Sequence, residues 1–180
     1  MLLPKVSMAT FTTKSILCLA AVGGLVMLAI AAAATAWAST SAAPLQGRAS
    51  VIDGDTLEVR GERIRLFGID APESAQTCLD ADGRAYRCGQ RAAFALSDKV
   101  GARPVVCEPT GKDRYGRIVA RCSLAGEDLQ AWMVRNGHAL AFVRYSKDYR
   151  RFEAEAKASG AGMWTGSFEP PWEWRRRSRS

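Results

Sequence analysis

Apolar and polar positions across residues 50–73 alternate in short runs divided by turn residues, the pattern of a β-meander. Val51-Ile52 and Thr56-Leu57-Glu58-Val59 alternate with period two. Asp53-Gly54-Asp55 between them is a turn signal, since glycine tolerates positive φ and aspartate bonds its own turn backbone. Arg60-Gly61-Glu62-Arg63 is a second turn, and residues 64–69 form a third strand. Ile64, Leu66 and Gly68 point to one face of that strand, Arg65 and Phe67 to the other. Asp70-Ala71-Pro72-Glu73 ends it, because proline donates nothing to a ladder and stiffens the exit. The meander thus brings Asp55, Arg65, Asp70 and Glu73 within reach of one another.

Farther on the period lengthens. Residues 89–100 place Ala92, Ala93, Leu96 and Val100 on one helical face and stop at Gly101, with the Ala and Phe stripe read as core. Residues 103–107 and 116–124 read as a strand pair, and the loop over 108–115 is rich in Pro, Gly and charge. Residues 127–137 begin with acids and end in Arg-Asn-Gly, which suits a helix dipole and a glycine stop. His138 follows in apolar surroundings as a structural residue. Residues 142–145 form a short extended link, and residues 147–158 a third helix with Tyr149, Phe152 and Ala156 inward. Five strands, one helix after the third and two after the fifth predict an α+β fold.

The ends change the picture. Residues 16–38 carry no charge and close on Ala36-Trp37-Ala38, which reads as a signal peptide cleaved after Ala38. An uncleaved membrane anchor is the alternative, since the run is about long enough to span a bilayer. The expected location is therefore secreted or periplasmic, or anchored to the outer face of the membrane by residues 16–38. Residues 39–46 suit a linker, 47–168 a single domain, and 169–180 a tail rich in Pro, Trp and Arg whose arginines read as solvated. The chain carries a net charge of +7, and losing residues 1–38 removes two lysines and no acid, leaving +5. A basic domain suits a polyanionic partner, and a monomer is the default for its size. Cys78, Cys88, Cys107 and Cys122 are an even set in an exported chain and allow three pairings. The favoured one joins Cys78 to Cys88 and Cys107 to Cys122. With His138 the only histidine and no CxxC pair, the sequence gives no sign of a structural zinc site.

The meander's charged cluster has a definite chemistry. Two carboxylates from separate turns can share a hard cation such as Ca²⁺. A third can deprotonate a water, and an arginine fork fits a pair of phosphate oxygens. That set describes a metal-assisted phosphodiesterase.

Val51-Ile52-Asp53-Gly54-Asp55-Thr56, Arg65-Leu66, Ile69-Asp70-Ala71-Pro72-Glu73 and Asp113-Arg114-Tyr115-Gly116-Arg117 resemble, in order and spacing, the signature blocks of the thermonuclease (staphylococcal nuclease) family. The resemblance covers residues 47–164. It implies a five-stranded OB-fold barrel with three α-helices and Ca²⁺-dependent cleavage of DNA and RNA, single- or double-stranded, to 3′-phosphate and 5′-hydroxyl ends. It implies Asp55, Asp70 and the backbone carbonyl of Ala71 as metal ligands. It further implies Glu73 as the group acting on water, and Arg65 and Arg117 as the phosphate-binding pair. Tyr145 lies where the family tends to place a substrate-side tyrosine, and Tyr115 is left between the barrel rim and a stacked base. Two departures stand out. Ala71 replaces a threonine whose hydroxyl reaches metal-bound water, and Val143 replaces an aromatic. The alternative is a non-catalytic module of the cell envelope that binds nucleic acid or a protein partner through the same barrel.

Overall fold

The computed structural model describes residues 42–179. The expected signal peptide or anchor, and the start of the expected linker, lie outside them. The described strands are β1 (Leu45–Asp53), β2 (Thr56–Val59), β3 (Glu62–Leu66), β4 (Ile69–Asp70), β5 (Cys78–Leu79) and β6 (Ala85–Tyr86), followed by helix α1 (Cys88–Val100). Then come β7 (Pro104–Lys112), β8 (Ile118–Leu124), β9 (Glu127–Asp128), α2 (Leu129–Arg135), β10 (Leu140–Ala141), α3 (Arg150–Ser159) and α4 (Pro171–Arg177).

β1, β2, β3, β7 and β8 close into a mixed five-stranded barrel. The sheet runs β3-β2-β1-β7-β8-β9, and a parallel pairing of β3 with β8, Arg65 opposite Val119, closes the ring and leaves β9 beyond it. Period-two alternation turns Leu57, Val59, Ile64, Leu66, Val105, Ala120 and Leu124 into the interior, where all are buried. Helix α1 packs on β1 through Ala92, Leu96 and Val100, while α2 adds Leu129, Met133 and Val134 and α3 adds Phe152 and Ala156. The α+β barrel is the one expected, with a fourth helix, α4, inside the expected tail. The even set of cysteines pairs as Cys78–Cys88 and Cys107–Cys122, the latter between register partners of β7 and β8.

Several local expectations differ. β1 begins at Leu45, two residues inside the expected linker, because Leu45 and Gln46 pair with Cys107 and Val106 of β7. The third strand does not run to Ile69: Phe67-Gly68 forms a turn, with Gly68 at φ +72°. Ile69-Asp70 thereby leaves the barrel and pairs with Ala141-Leu140. β7 extends to Lys112, so the functional loop shrinks to 113–117. Phe94 lies on the outer side of α1 and is 60% exposed, because the helix meets β1 through Ala92 and Leu96 instead. Residues 143–145 make a turn rather than an extended link.

Candidate active site

The site grows from the turn between β1 and β2. Asp53 accepts a hydrogen bond from the Asp55 backbone N–H (3.0 Å), which fixes the turn and aims the Asp55 side chain inward. Gly54 does not need positive φ here. A Cβ on it would stand 2.7 Å from the Ala71 Cβ and 2.9 Å from the Ala92 Cβ, so glycine is required by close approach. That approach lets Asp55 Oδ2 accept the Ala71 backbone N–H at 2.7 Å.

Asp55 is 2% exposed and Asp70 is 0% exposed, so both carboxylates need compensation inside the fold. Arg65, opposite Thr56 in the hairpin, provides much of it. Its guanidinium pairs with Asp55 Oδ1 and, through Nη2, with Asp70 Oδ1 at 2.8 Å. Burial pulls the Arg65 guanidinium below its usual pKa, and Asp70 only partly offsets this; it remains a cation. The turn at Phe67-Gly68 returns the chain so that Asp70 stands beside Arg65, and Glu73 follows on the wall of the same cleft. Glu73 is held at its backbone, where its N–H donates to Gln76 Oε1 (3.2 Å) and its carbonyl lies where a Cβ on Gly89 would intrude at 1.8 Å.

Arg117 lines the same cleft, near enough for its charge to act on Arg65, but its ion-pair partner is a different carboxylate. It pairs with Asp113, which accepts both its Nε (2.7 Å) and its backbone N–H (3.0 Å). Burial alone would raise the Asp113 carboxyl, but the Arg117 guanidinium and backbone N–H groups hold it below the usual carboxylate range. Tyr115, 63% exposed, lies under the Arg114 and Arg117 guanidiniums at 4.8 and 5.6 Å. Arg114, with Arg179 beside it, lowers the Tyr115 phenol pKa. Tyr145 is 70% exposed and leans on Phe142 at 5.0 Å. The cleft, about 730 Å³, brings together Arg65, Glu73, Arg117, Tyr115 and Tyr145 and adds Trp172 and Arg175.

Those two come from α4. The Trp172 ring stacks on Phe142 (5.6 Å, 18° between planes). Arg175 Nη2 bonds Asp70 Oδ2 (2.7 Å), and its Nη1 bonds Glu73 Oε1 (2.7 Å). Burial lowers the Arg175 pKa, but the two carboxylates outweigh it and hold the guanidinium above its usual value. The arginines of the expected solvated tail therefore include one that closes on the site. A helix signal was legible in Pro170-Pro171 and in the basic run of the last turn. Its target, 105 residues earlier, was not.

The donor chemistry of Asp55 and Asp70 fits a divalent cation, since both present hard oxygens and both are neutralised here by guanidinium groups in its stead. Among the described residues, no group of three or more His, Cys, Asp or Glu side chains is arranged to hold a metal ion. A cation would therefore rest on two carboxylates, with main-chain and water oxygens completing its shell.

Residues 63–166 match the model of the staphylococcal nuclease homologue family. Over 127 residues the chain is 46% identical to the succinoglycan biosynthesis protein ExoI of Rhizobium meliloti, covering 69% of this chain and 66% of that one. It is 35% identical over 129 residues to the probable staphylococcal-like nuclease CAN3 of rice (Oryza sativa subsp. japonica), 70% of this chain but 32% of the rice protein. It is 33% identical over 144 residues to an uncharacterized endonuclease of Escherichia coli, 75% of this chain and 88% of that one. The match thus spans about a third of the rice protein and nearly all of the bacterial endonuclease. With more than half of its length inside the family model and its charged cluster folded onto one cleft, the chain belongs to the staphylococcal nuclease homologue family.

Proposed function

We propose that this protein is an exported, Ca²⁺-dependent nuclease that hydrolyses phosphodiester bonds of DNA and RNA and leaves 3′-phosphate and 5′-hydroxyl ends. The observation that carries the reading is the buried Asp55–Asp70 pair bridged by Arg65, at a cleft that Asp55, Arg65, Glu73 and Arg117 line together. Asp55 and Asp70, with the carbonyl of Ala71, would hold the ion. When bound, Ca²⁺ supplies Lewis-acid polarisation of the phosphoryl oxygen. Arg65 and Arg117 bind the phosphate and stabilise the charge that grows on it, and Asp113 keeps the Arg117 fork aimed into the cleft. Glu73 takes a proton from the attacking water. Tyr115 and Tyr145 offer exposed rings at the cleft mouth for bases to stack on. Ala71 lacks a hydroxyl for the ion's water, so the rate or cation affinity differs from that of relatives with threonine there. The expected setting is secreted or periplasmic, or tethered to the membrane by residues 16–38, as a monomer.

The test is hydrolysis of single-stranded DNA by the full chain with Ca²⁺ and with chelator, beside Glu73→Gln. We expect Ca²⁺-dependent cleavage that falls by orders of magnitude in Glu73→Gln and products that carry 3′-phosphate. Cleavage indifferent to the substitution would reject Glu73 as the group acting on water. A folded protein that binds DNA but never cleaves it would establish the non-catalytic binding module instead. The grip of Arg175 on Asp70 and Glu73 is the observation that favours that second reading.

A further inference from the structure

Arg175 reaches the site from a helix seven residues long. Two contacts fix where that helix starts. Trp172 stacks on Phe142, and the carbonyl of Glu169 accepts the buried Gln76 Nε2 at 2.7 Å. From there Arg175 extends a single guanidinium over two carboxyl groups. Nη1 lies 2.7 Å from Glu73 Oε1 and 3.1 Å from Asp70 Oδ1, and Nη2 lies 2.7 Å from Asp70 Oδ2. Both oxygens of Asp70 and one of Glu73 are thereby engaged.

These are the oxygens that the proposed chemistry needs free. A lone pair directed at an N–H is not available to a cation, and a cation beside two guanidinium groups meets direct repulsion in a partly buried site. One arginine has to yield. Arg65 lies within the barrel sheet and is held at three points, Asp55, Asp70 and the Ile69 carbonyl. Arg175 hangs from the last helix, and both of its partners belong to the site itself. It is the one that can leave without opening the barrel.

We propose that Arg175 is a tethered counter-cation of this site: it holds Asp70 and Glu73 in the cation-free protein, and a divalent cation binds by displacing its guanidinium. The last helix then sets the cation affinity and decides when Glu73 is free to accept a proton. This inference rests on the reading of the site as a cation-dependent phosphodiesterase.

The test is calorimetric titration of Ca²⁺ into the full chain without nucleic acid, for the natural protein, Arg175→Ala, Arg175→Gln and Arg176→Ala. Removing the competing charge should tighten Ca²⁺ binding by about tenfold or more in Arg175→Ala. Arg175→Gln keeps hydrogen-bond donors but no charge, and carries the same expectation if the alanine variant does not fold. Among the described residues Arg176 pairs with Glu173, on the exposed side of the helix, so Arg176→Ala should leave the affinity unchanged. Amide exchange across residues 171–177 should quicken when Ca²⁺ is added to the natural protein. Equal affinity in folded Arg175 variants and the natural protein would overturn this inference and leave the cation-dependent reading standing. Weaker affinity would also overturn it, making Arg175 a support for Asp70. No Ca²⁺ binding by any folded form would overturn both.

Discussion

Arg65 and Arg117 would both meet phosphate, yet they stand in different surroundings, and substitution separates them. Arg65 compensates two buried carboxylates, whereas Arg117 is half-exposed and held by one loop aspartate. Alanine at either position should lower kcat by about 10²–10³, the range for losing one preorganised group that stabilises developing charge. Only Arg65→Ala should also cost stability, on the order of 3 kcal/mol, because it strips a counter-charge from Asp55 and Asp70. Denaturant midpoints beside steady-state rates would check this. Equal stability loss in both variants would mean that Arg65 is not the counter-ion of the pair.

Among the elements, the two disulfides do different work. Cys107–Cys122 joins strands already in register, so its effect falls chiefly on the unfolded chain. Cys78–Cys88 closes the loop that begins two residues after Gln76, and the Gly89 N–H next to Cys88 donates to the Gln76 carbonyl (3.5 Å), while the Gln76 side chain ties the Glu73 backbone to the Glu169 carbonyl. Replacing either pair with serine should lower stability by about 2–4 kcal/mol. Hydrolysis at a temperature where both variants remain folded should fall only for the Cys78/Cys88 pair. If the Cys107/Cys122 variant lost activity equally, the first disulfide would have no special hold on Glu73.

For the whole molecule, the only histidine gives a pH signature. His138 is packed beside the Trp132 ring (5.7 Å). Burial, and secondarily Arg91, lower its pKa below the usual value. The unfolded chain therefore takes up a proton first as pH falls. His138 costs the fold nothing above its unfolded value of about 6.5, and its penalty grows as pH drops from there toward the lower folded pKa. Urea unfolding at neutral pH and under mildly acidic conditions should show the natural protein losing more stability than His138→Asn. An identical loss in both would place the acid sensitivity elsewhere.

The sequence by itself determined the meander, the helix that follows it, and the charged residues with their chemistry. Period-two alternation, turn dipeptides and the acid-arginine set are local or short-range signals, readable wherever a residue's neighbours in the chain are its neighbours in space. Asp55, Arg65, Asp70 and Glu73 fall within one meander, so their meeting was legible. Only the tertiary structure decided what lies opposite them. Asp113 claims Arg117 through the geometry of a five-residue loop, and Gly54 is glycine because Ala71 and Ala92 close over it. Arg175, which reads as one more solvated arginine of a basic tail, lies on Asp70 and Glu73 because Trp172 finds Phe142 and Glu169 meets Gln76. The contacts of Gly54 and Arg175 join residues far apart in the chain that no local periodicity relates, and burial of the carboxylates makes their pairing matter.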